Sequence, residues 1–259
     1  MKINEILDVI NEFCPIADAE EWDNSGPQVI LSHRDVTKIL VSLDISHEVI
    51  DEAIEKGAEM ILTHHPLIFK PRYDIKDIND PVGSYIIRLI KEGISLYSCH
   101  TNFDIMEGGN NDFLGNLLGF NKITAHGIIR SGQLKDKKKV SELAGTLSSD
   151  LGIPLDKMRL IGDPDKVCSK LCWCTGAGAE YILQAKELGV DLYITGDIKY
   201  HDATLAKGLD MTCLDIGHFG SEKLFVQNMS RMLKTNLRKA ESLVTIVESK
   251  VERDPFTSL

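Results

Sequence analysis

Between residues 38 and 100 the chain alternates short apolar segments with helical segments, and this order restricts the folds that it can adopt. Apolar runs at Lys38–Asp44, Ala58–Thr63 and Gly93–His100 have the length and composition of buried strands. Helical patterns over His47–Glu55 and Pro81–Glu92 separate them. A strand, a helix and a second strand in this order form a right-handed parallel crossover. We therefore expect a parallel sheet whose strands end at one edge, where open α/β sheets bind ligands.

The second half of the chain repeats this alternation. Its predicted strands and helices are Met158–Ile161, Lys170–Cys174, Val190–Thr195 and Met211–Asp215, with Val140–Leu151, Glu180–Leu188 and Ser221–Leu233. We predict an α/β fold of two similar α/β domains packed together, with mixed or parallel sheets flanked by helices. The first domain spans residues 1–128 together with part of the C-terminal tail, and the second spans residues 129–259.

Two adjacent histidines, His64 and His65, follow the apolar run Met60–Thr63, and Pro66 ends the extended segment. A strand end followed by a rigid turn can hold two imidazole rings at the rim of a sheet. Neutral imidazole is the commonest protein ligand for a transition metal. The alternative is that each histidine is a buried side chain with a single hydrogen bond. Further histidines and carboxylates at other strand ends favour the metal interpretation.

Five such groups form the candidate metal set: His64, His65, Asp104, His218 and Glu222. His218 and Glu222 are four residues apart, so a helix that begins near them places both side chains on one face. An open metal site usually takes three protein ligands, so three imidazoles and two carboxylates suit two metal ions. The alternative is that Asp104 and Glu222 cap helices and that His218 is a loop residue.

Other polar residues near the predicted strand ends are candidates for orienting the ligands or for moving protons. They are Asp44, His100, Asp197 and His201. A metal-bound histidine needs a partner for its second ring nitrogen, and these side chains offer one.

Two further segments permit both a structural and a functional interpretation. Residues Glu20–Gln28 form a polar loop in which Trp22 is a core anchor on the structural interpretation, whereas Asp23 and Asn24 lie over a site on the functional one. Asn24 is either a turn former or a substrate-binding residue. Thr175–Gly178 is a glycine-rich turn that can hold an anion, although tight turning between a strand and a helix explains its glycines equally well.

Composition limits the classes of partner. The net charge is −10, and Lys135–Lys139 is the one dense basic run, which we place at the start of a helical segment as a solvated face. Binding to nucleic acid is therefore not expected. We expect no membrane-spanning segment, because no apolar run is long enough. The six cysteines lie mostly in apolar strand contexts, which fits reduced thiols in a cytoplasmic protein.

Five motifs, in order, resemble the signatures of the GTP cyclohydrolase 1 type 2 homologue family, also known as the NIF-three-like family. They are Trp22–Gly26, Leu62–Phe69, His100–Asp104, Thr195–His201 and Asp215–Glu222. The resemblance continues to Asp254–Phe256 and is to the short form, which lacks an inserted domain. Asp197 stands where many relatives have Glu, and Tyr200 where some have a second His.

The resemblance implies a NIF-three-like fold assembled as a toroidal homohexamer with dinuclear metal sites. The family's metal ligands fall on His64, His65, Asp104, His218 and Glu222. Each subunit would then bind two divalent ions, with zinc, manganese and iron as the candidates.

Two functions of different classes remain open at this stage. The first is a metal-dependent hydrolase that acts on a nucleotide-like, phosphate or cyclic-amide small molecule, with His100 or His201 moving protons. The second is a non-catalytic metal-binding or interaction protein in a ring assembly. No P-loop, base-stacking aromatic cluster or strong nucleotide fingerprint is evident in the sequence, which favours the second. A vacant coordination position would favour the first.

Overall fold

The computed structural model describes residues 1–32 and 34–257, and the chain divides into two compact units. The first unit contains Met1–Met106 and Phe225–Arg253. The second contains Glu107–Leu224 and the residues from Asp254 onward. Each unit has its own sheet and its own helices, so the predicted α/β class with two sheets flanked by helices is confirmed.

The first unit has a five-stranded sheet with the order β1-β4-β3-β2-β11. Its strands are β1 Gly26–Val29, β2 Lys38–Ser42, β3 Met60–Thr63, β4 Ser95–Ser98 and β11 Thr245–Glu248. The neighbours from β4 to β11 are parallel, and β1 pairs antiparallel with β4 at the edge. Every residue of β3 and β4 is buried, as expected for parallel strands covered on both faces.

Helices of the first unit are α1 Ile3–Phe13, α2 His47–Lys56, α3 Pro81–Glu92, α4 Thr101–Ile105 and α10 Leu224–Lys239. Local chemistry fixes where α3 begins and ends. The Asp80 carboxylate accepts from the Gly83 N–H at 3.1 Å, Pro81 occupies the first turn, and Gly93 ends the helix in the left-handed region at φ 70°. These signals are all visible in the sequence, which is why the predicted bounds of α3 match the observed ones.

The register of β2, β3 and β4 aligns their last residues. Ser42 lies opposite Thr63, and Thr63 lies opposite Ser98. The segments that follow these three strands therefore leave the sheet at one edge and at one level. His64, His65 and His100 belong to those segments.

The second unit has a six-stranded sheet with the order β5-β6-β8-β9-β10-β7. Its elements are β5 Ile123–His126, β6 Ile129–Lys139, β7 Arg159–Ile161, β8 Val167–Ala177, β9 Leu192–Gly196 and β10 Cys213–Asp215, with α5 Asn110–Leu117, α6 Val140–Leu151, α7 Ile182–Glu187, α8 Tyr200–Gly208 and α9 His218–Glu222. Strands β8, β9 and β10 are parallel, and the remaining pairs are antiparallel. The unit packs around Trp173, which is fully buried and stacks on Phe120 at 4.7 Å.

Several observed elements differ from the sequence-based expectation. The chain crosses between units at Met106–Glu107, earlier than the expected division after residue 128, because β5 pairs with β6 and α5 packs on β8. Part of the C-terminal tail was expected in the first unit, and the part found there is Phe225–Arg253, because β11 pairs with β2. The basic run Lys135–Lys139 forms the end of strand β6 and leads directly into α6, with Lys139 as the N-cap. None of the helices among the described residues has the length and apolar content needed to cross a membrane.

Asn111 on α5 joins three parts of the second unit. Its Nδ2 donates to the Ile128 carbonyl at 3.0 Å, and its Oδ1 accepts from the Thr175 N–H at 2.8 Å. Its backbone carbonyl accepts from Trp173 Nε1 at 2.7 Å. The side chain is fully buried, so its loss leaves the Ile128 and Thr175 backbone groups without these bonds.

We predict that Asn111→Ala lowers the free energy of unfolding by about 3 kcal/mol, since an unsatisfied buried polar group costs about 1–3 kcal/mol. Urea denaturation followed by the fluorescence of buried Trp173 measures this change. Asn116→Ala, an exposed position on the same helix, is the matched control and should change stability by about 0.5 kcal/mol or less. Equal effects of the two substitutions would contradict this role of Asn111.

Candidate metal centre

The turn after β3 presents His64 and His65 at the carboxyl edge of the first sheet. The backbone N–H groups of both histidines donate to the Leu43 carbonyl at 3.1 Å, which ties the turn to the segment after β2. The His65 carbonyl accepts from the Thr63 hydroxyl at 2.9 Å and from the Ser98 hydroxyl at 3.2 Å. The aligned strand ends therefore fix the backbone of this histidine pair from both neighbouring strands.

Each of the three histidines at this edge directs Nδ1 to an oxygen atom at 2.8 Å. The acceptors are the Cys99 carbonyl for His64, Asp44 Oδ1 for His65 and Asp23 Oδ1 for His100. Carbonyl and carboxylate oxygens can only accept, so Nδ1 carries the proton and Nε2 keeps its lone pair. This is the arrangement by which proteins orient metal-binding histidines.

The donor atoms of His64, His65 and His100 all lie within 4.8 Å of one another. Asp104 on α4 adds a carboxylate, with Oδ2 lying 3.5 Å from His64 Nε2. His64 and Asp104 are buried, with exposures of 0% and 4%. The first unit thus gathers three imidazoles and one carboxylate, a set that borderline ions such as zinc accept.

Asp23 holds the ring of His100. Its Oδ2 accepts from the Thr101 hydroxyl at 2.6 Å, from the Thr101 N–H at 3.1 Å and from the Ser25 hydroxyl at 2.7 Å. Burial opposes ionisation, but the hydrogen bonds from His100, Ser25 and Thr101 outweigh it and lower the pKa of the Asp23 carboxyl below its usual range. Asp23 therefore keeps the negative charge that orients His100.

The loop around Asp23 resolves one of the two alternatives that the sequence leaves open for it. Trp22 is 56% exposed, so its interpretation as a core anchor is wrong. The Asn24 amide donates to the Ile68 carbonyl at 2.6 Å, which joins its loop to the segment after the histidine pair. A substrate-binding role for Asn24 stays a prediction.

In the second unit, β10 leads into α9, which begins at His218 after Gly217. The spacing of four residues puts the His218 ring beside the Glu222 carboxylate, with 2.8 Å between Nε2 and Oε2. The opposite nitrogen, Nδ1, lies 2.8 Å from Asp197 Oδ2. His218 is thus oriented by a carboxylate in the same way as His65 and His100.

The contacts of His218 with two carboxylates indicate whether a cation fits beside its ring. A neutral imidazole has one N–H and one lone pair, so it can donate to only one of them. The lone pair on the other nitrogen then faces a carboxylate oxygen at 2.8 Å, which is repulsive unless a second proton or a metal ion lies between them. Two donors that share one zinc ion lie about 3 Å apart, so the spacing suits a metal.

Gly176 leaves the space that the Glu222 carboxylate occupies. Gly176 near the end of β8 has φ +67°, and a Cβ on it would lie 1.9 Å from Glu222 Oε1. The Gly176 N–H donates to the Ser221 hydroxyl at 2.9 Å. The stretch predicted as an anion-binding turn therefore continues β8 to Ala177, and a carboxylate of the chain itself lies against Gly176.

Asp215, which opens the motif Asp215–Glu222 but is not among the candidate ligands, holds the His218 and Asp197 turns together. Its carboxylate accepts from the Gly217 N–H at 2.9 Å and from the Ile198 N–H at 3.0 Å, and it pairs with Arg159. Two signals point to it in the sequence: it is the last residue of a predicted strand and the first residue of a motif. His201 is exposed on α8 with its ring against Tyr200, and among the described residues it joins none of the histidine–carboxylate groups.

Comparisons with known proteins agree with this architecture. A family model described as Duf34/NIF3 (NGG1p interacting factor 3) matches residues 1–255. Proteins named GTP cyclohydrolase 1 type 2 homolog from Clostridium perfringens and Clostridium acetobutylicum are 40% and 34% identical; the alignments cover 99% of this chain and 99% and 98% of the relatives. Staphylococcus aureus hypothetical protein SA1388 matches with a TM-score of 0.93 at 26% identity, covering 100% of this chain and 99% of that one. The alignments to the two clostridial relatives leave no room for a large inserted domain, as the resemblance to the short form implies.

We predict that Gly176→Ala lowers the free energy of unfolding by about 3 kcal/mol, the sum of an unfavourable φ and a clash with Glu222. Gly189→Ala is the matched control, because Gly189 has φ +63° and nothing lies within 4 Å of an added Cβ. That control should cost only about 1 kcal/mol. Urea denaturation compares the two variants, and equal losses would contradict the packing of Glu222 against Gly176.

Proposed function

The chain belongs to the Duf34/NIF3 family, and from that premise we propose that it is a metal-dependent hydrolase. The observation that carries the proposal is the common orientation of its histidines. His64, His65, His100 and His218 each direct Nδ1 to an oxygen acceptor at 2.8 Å, so each keeps an Nε2 lone pair for a metal ion.

We propose His64, His65, Asp104, His218 and Glu222 as the ligands of two divalent ions per subunit, with zinc, manganese or iron as the metal. The His218–Glu222 pair supplies two donors, fewer than the three protein ligands usual at an open zinc site, so it needs a further donor from elsewhere. The resemblance assigns both donor sets to one dinuclear site in a toroidal homohexamer, and the proposal includes that assignment.

A divalent metal supplies Lewis acidity and lowers the pKa of bound water, which suits hydrolysis near neutral pH. His100 is our candidate for proton transfer, because Asp23 fixes its Nδ1–H and leaves Nε2 to accept a proton. The substrate proposed is a nucleotide-like, phosphate or cyclic-amide small molecule. Support for the nucleotide class comes from the name of the relatives, GTP cyclohydrolase 1 type 2 homolog.

The proposal includes a cytoplasmic location. All six cysteines are buried free thiols, and reduced thiols are usual in the cytosol.

We predict that the purified protein binds divalent metal and that His64→Ala weakens the binding by about 100-fold or more, since it removes a buried donor. Elemental analysis after dialysis and competition with a metal indicator measure stoichiometry and affinity. His126→Ala, which removes a ring bonded to the Ser131 hydroxyl, is the control and should retain the wild-type metal content.

Turnover of the metal-loaded protein on panels of nucleotides, phosphodiesters and cyclic amides tests the catalytic part. We expect one class to be hydrolysed by the wild type and by His126→Ala, and not by His64→Ala. Metal binding without turnover on any panel would refute the hydrolase and leave the non-catalytic metal-binding alternative.

A further inference from the structure

Two large aromatic rings lie exposed beside the histidine cluster of the first unit. Trp22 is 56% exposed and Phe69 is 47% exposed. Their ring centroids are 5.9 Å apart, and they lie 6.1 Å and 6.4 Å from the His100 ring. Exposed apolar surface next to converging polar groups is typical of a ligand-binding cleft.

The rings leave one another's faces open. Trp22 and Phe69 are inclined at 54°, and they meet the His100 ring at 80° and 81°. None of these pairs is stacked face to face, so neither exposed ring covers the flat surface of the other. Each can accept a further ring in offset stacking.

Hydrogen bonds fix the two rings relative to each other. The Ile68 N–H donates to Gln28 Oε1 at 2.9 Å, and the Ile68 carbonyl accepts from Asn24 Nδ2 at 2.6 Å. Gln28 Nε2 in turn donates to the Asn24 carbonyl at 2.8 Å. The segment that carries Phe69 is thus tied to the loop that carries Trp22. A ligand that contacts both rings therefore loses little conformational entropy in ordering these two segments.

We propose that Trp22 and Phe69 form the binding surface for a planar nitrogen heterocycle of the purine type, with its polar edge directed at the partly exposed His65 and His100. The inference rests on the proposed function, because it places the ring of the substrate beside the metal-binding donors. Stacking explains why flat aromatic rings are exposed here, and the nearby imidazoles explain why the bound ring needs nitrogen or oxygen atoms at its edge.

Calorimetric titration of the metal-free protein with guanosine, GTP and tripolyphosphate tests this site. We expect guanosine and GTP to bind, and Trp22→Ala and Phe69→Ala to weaken both by at least about fivefold. Trp22→Phe keeps a flat ring and should stay within about threefold of the wild type. Tyr73→Ala removes an exposed aromatic from the same segment as Phe69 and should change nothing.

A second readout is the fluorescence of Trp22, since the other tryptophan, Trp173, is fully buried. Guanosine should quench the wild-type and Tyr73→Ala proteins saturably. Absence of guanosine binding to the wild type, binding that tripolyphosphate reproduces, or equal losses in Trp22→Ala and Tyr73→Ala would each overturn the proposal. If Trp22 fluorescence changes with protein concentration and not with added guanosine, the proposal is also overturned. The two rings then form a contact between copies of the chain.

Metal analysis separates this inference from the proposed function. Trp22→Ala and Phe69→Ala should retain the wild-type metal content, because neither side chain offers a ligand atom. Heterocycle binding without hydrolysis supports the stacking site and refutes the proposed hydrolase activity. Hydrolysis by a wild-type protein that does not bind guanosine refutes the stacking site alone.

Discussion

The site depends on hydrogen bonds from histidine Nδ1 atoms to oxygen acceptors. In His64, His65, His100 and His218 this bond fixes the tautomer, turns the ring and aims Nε2. The acceptors differ, since one is a backbone carbonyl and three are carboxylates. Every one of them is supplied by a segment that leaves a strand or precedes one, so the strands determine the chemistry at their ends.

Each unit contains a five-residue helix that carries a carboxylate of the candidate metal set. In the first, His100 follows strand β4 and precedes the five-residue helix α4, which places Asp104 four residues later. In the second, His218 follows β10 and opens the five-residue helix α9, which places Glu222 four residues later. In the second unit the turn brings Glu222 beside His218, whereas in the first Asp104 lies beside His64, which follows β3. Each unit thus uses a five-residue helix to place a carboxylate next to an imidazole at a strand end.

The sequence predicts the parts of the fold that local chemistry determines. Helices α3 and α6 have their predicted bounds because proline, left-handed glycines and apolar spacing mark them. Strands β1 and β11 escaped prediction because neither is a continuous apolar run. Strand β1 contains Pro27, a residue that sheets tolerate at an edge, and β11 begins and ends with a polar residue. The histidine pair was visible because its strand is entirely apolar.

Long-range contacts explain what the sequence does not predict in the site. The bond between Asp23 and His100 joins residues 77 apart, and the place of Glu222 depends on Gly176 in another strand. The exposure of Trp22 follows from tertiary packing, so the sequence alone gave no sign of aromatic rings turned to solvent beside the histidines. Residue type and spacing identify candidate ligands, whereas their partners are set by the sheet.

The most direct test of the account is the protonation of the histidine rings, read from two-bond nitrogen–proton correlations in the metal-free protein near neutral pH. The account predicts Nδ1–H tautomers for His64, His65 and His100, with shifts at Nε2 that move when zinc is added. For His218, which has a carboxylate at each ring nitrogen, the Nε2 shift should also move when zinc is added. Nε2–H tautomers at His64, His65 and His100, or shifts that zinc leaves unchanged, would contradict it.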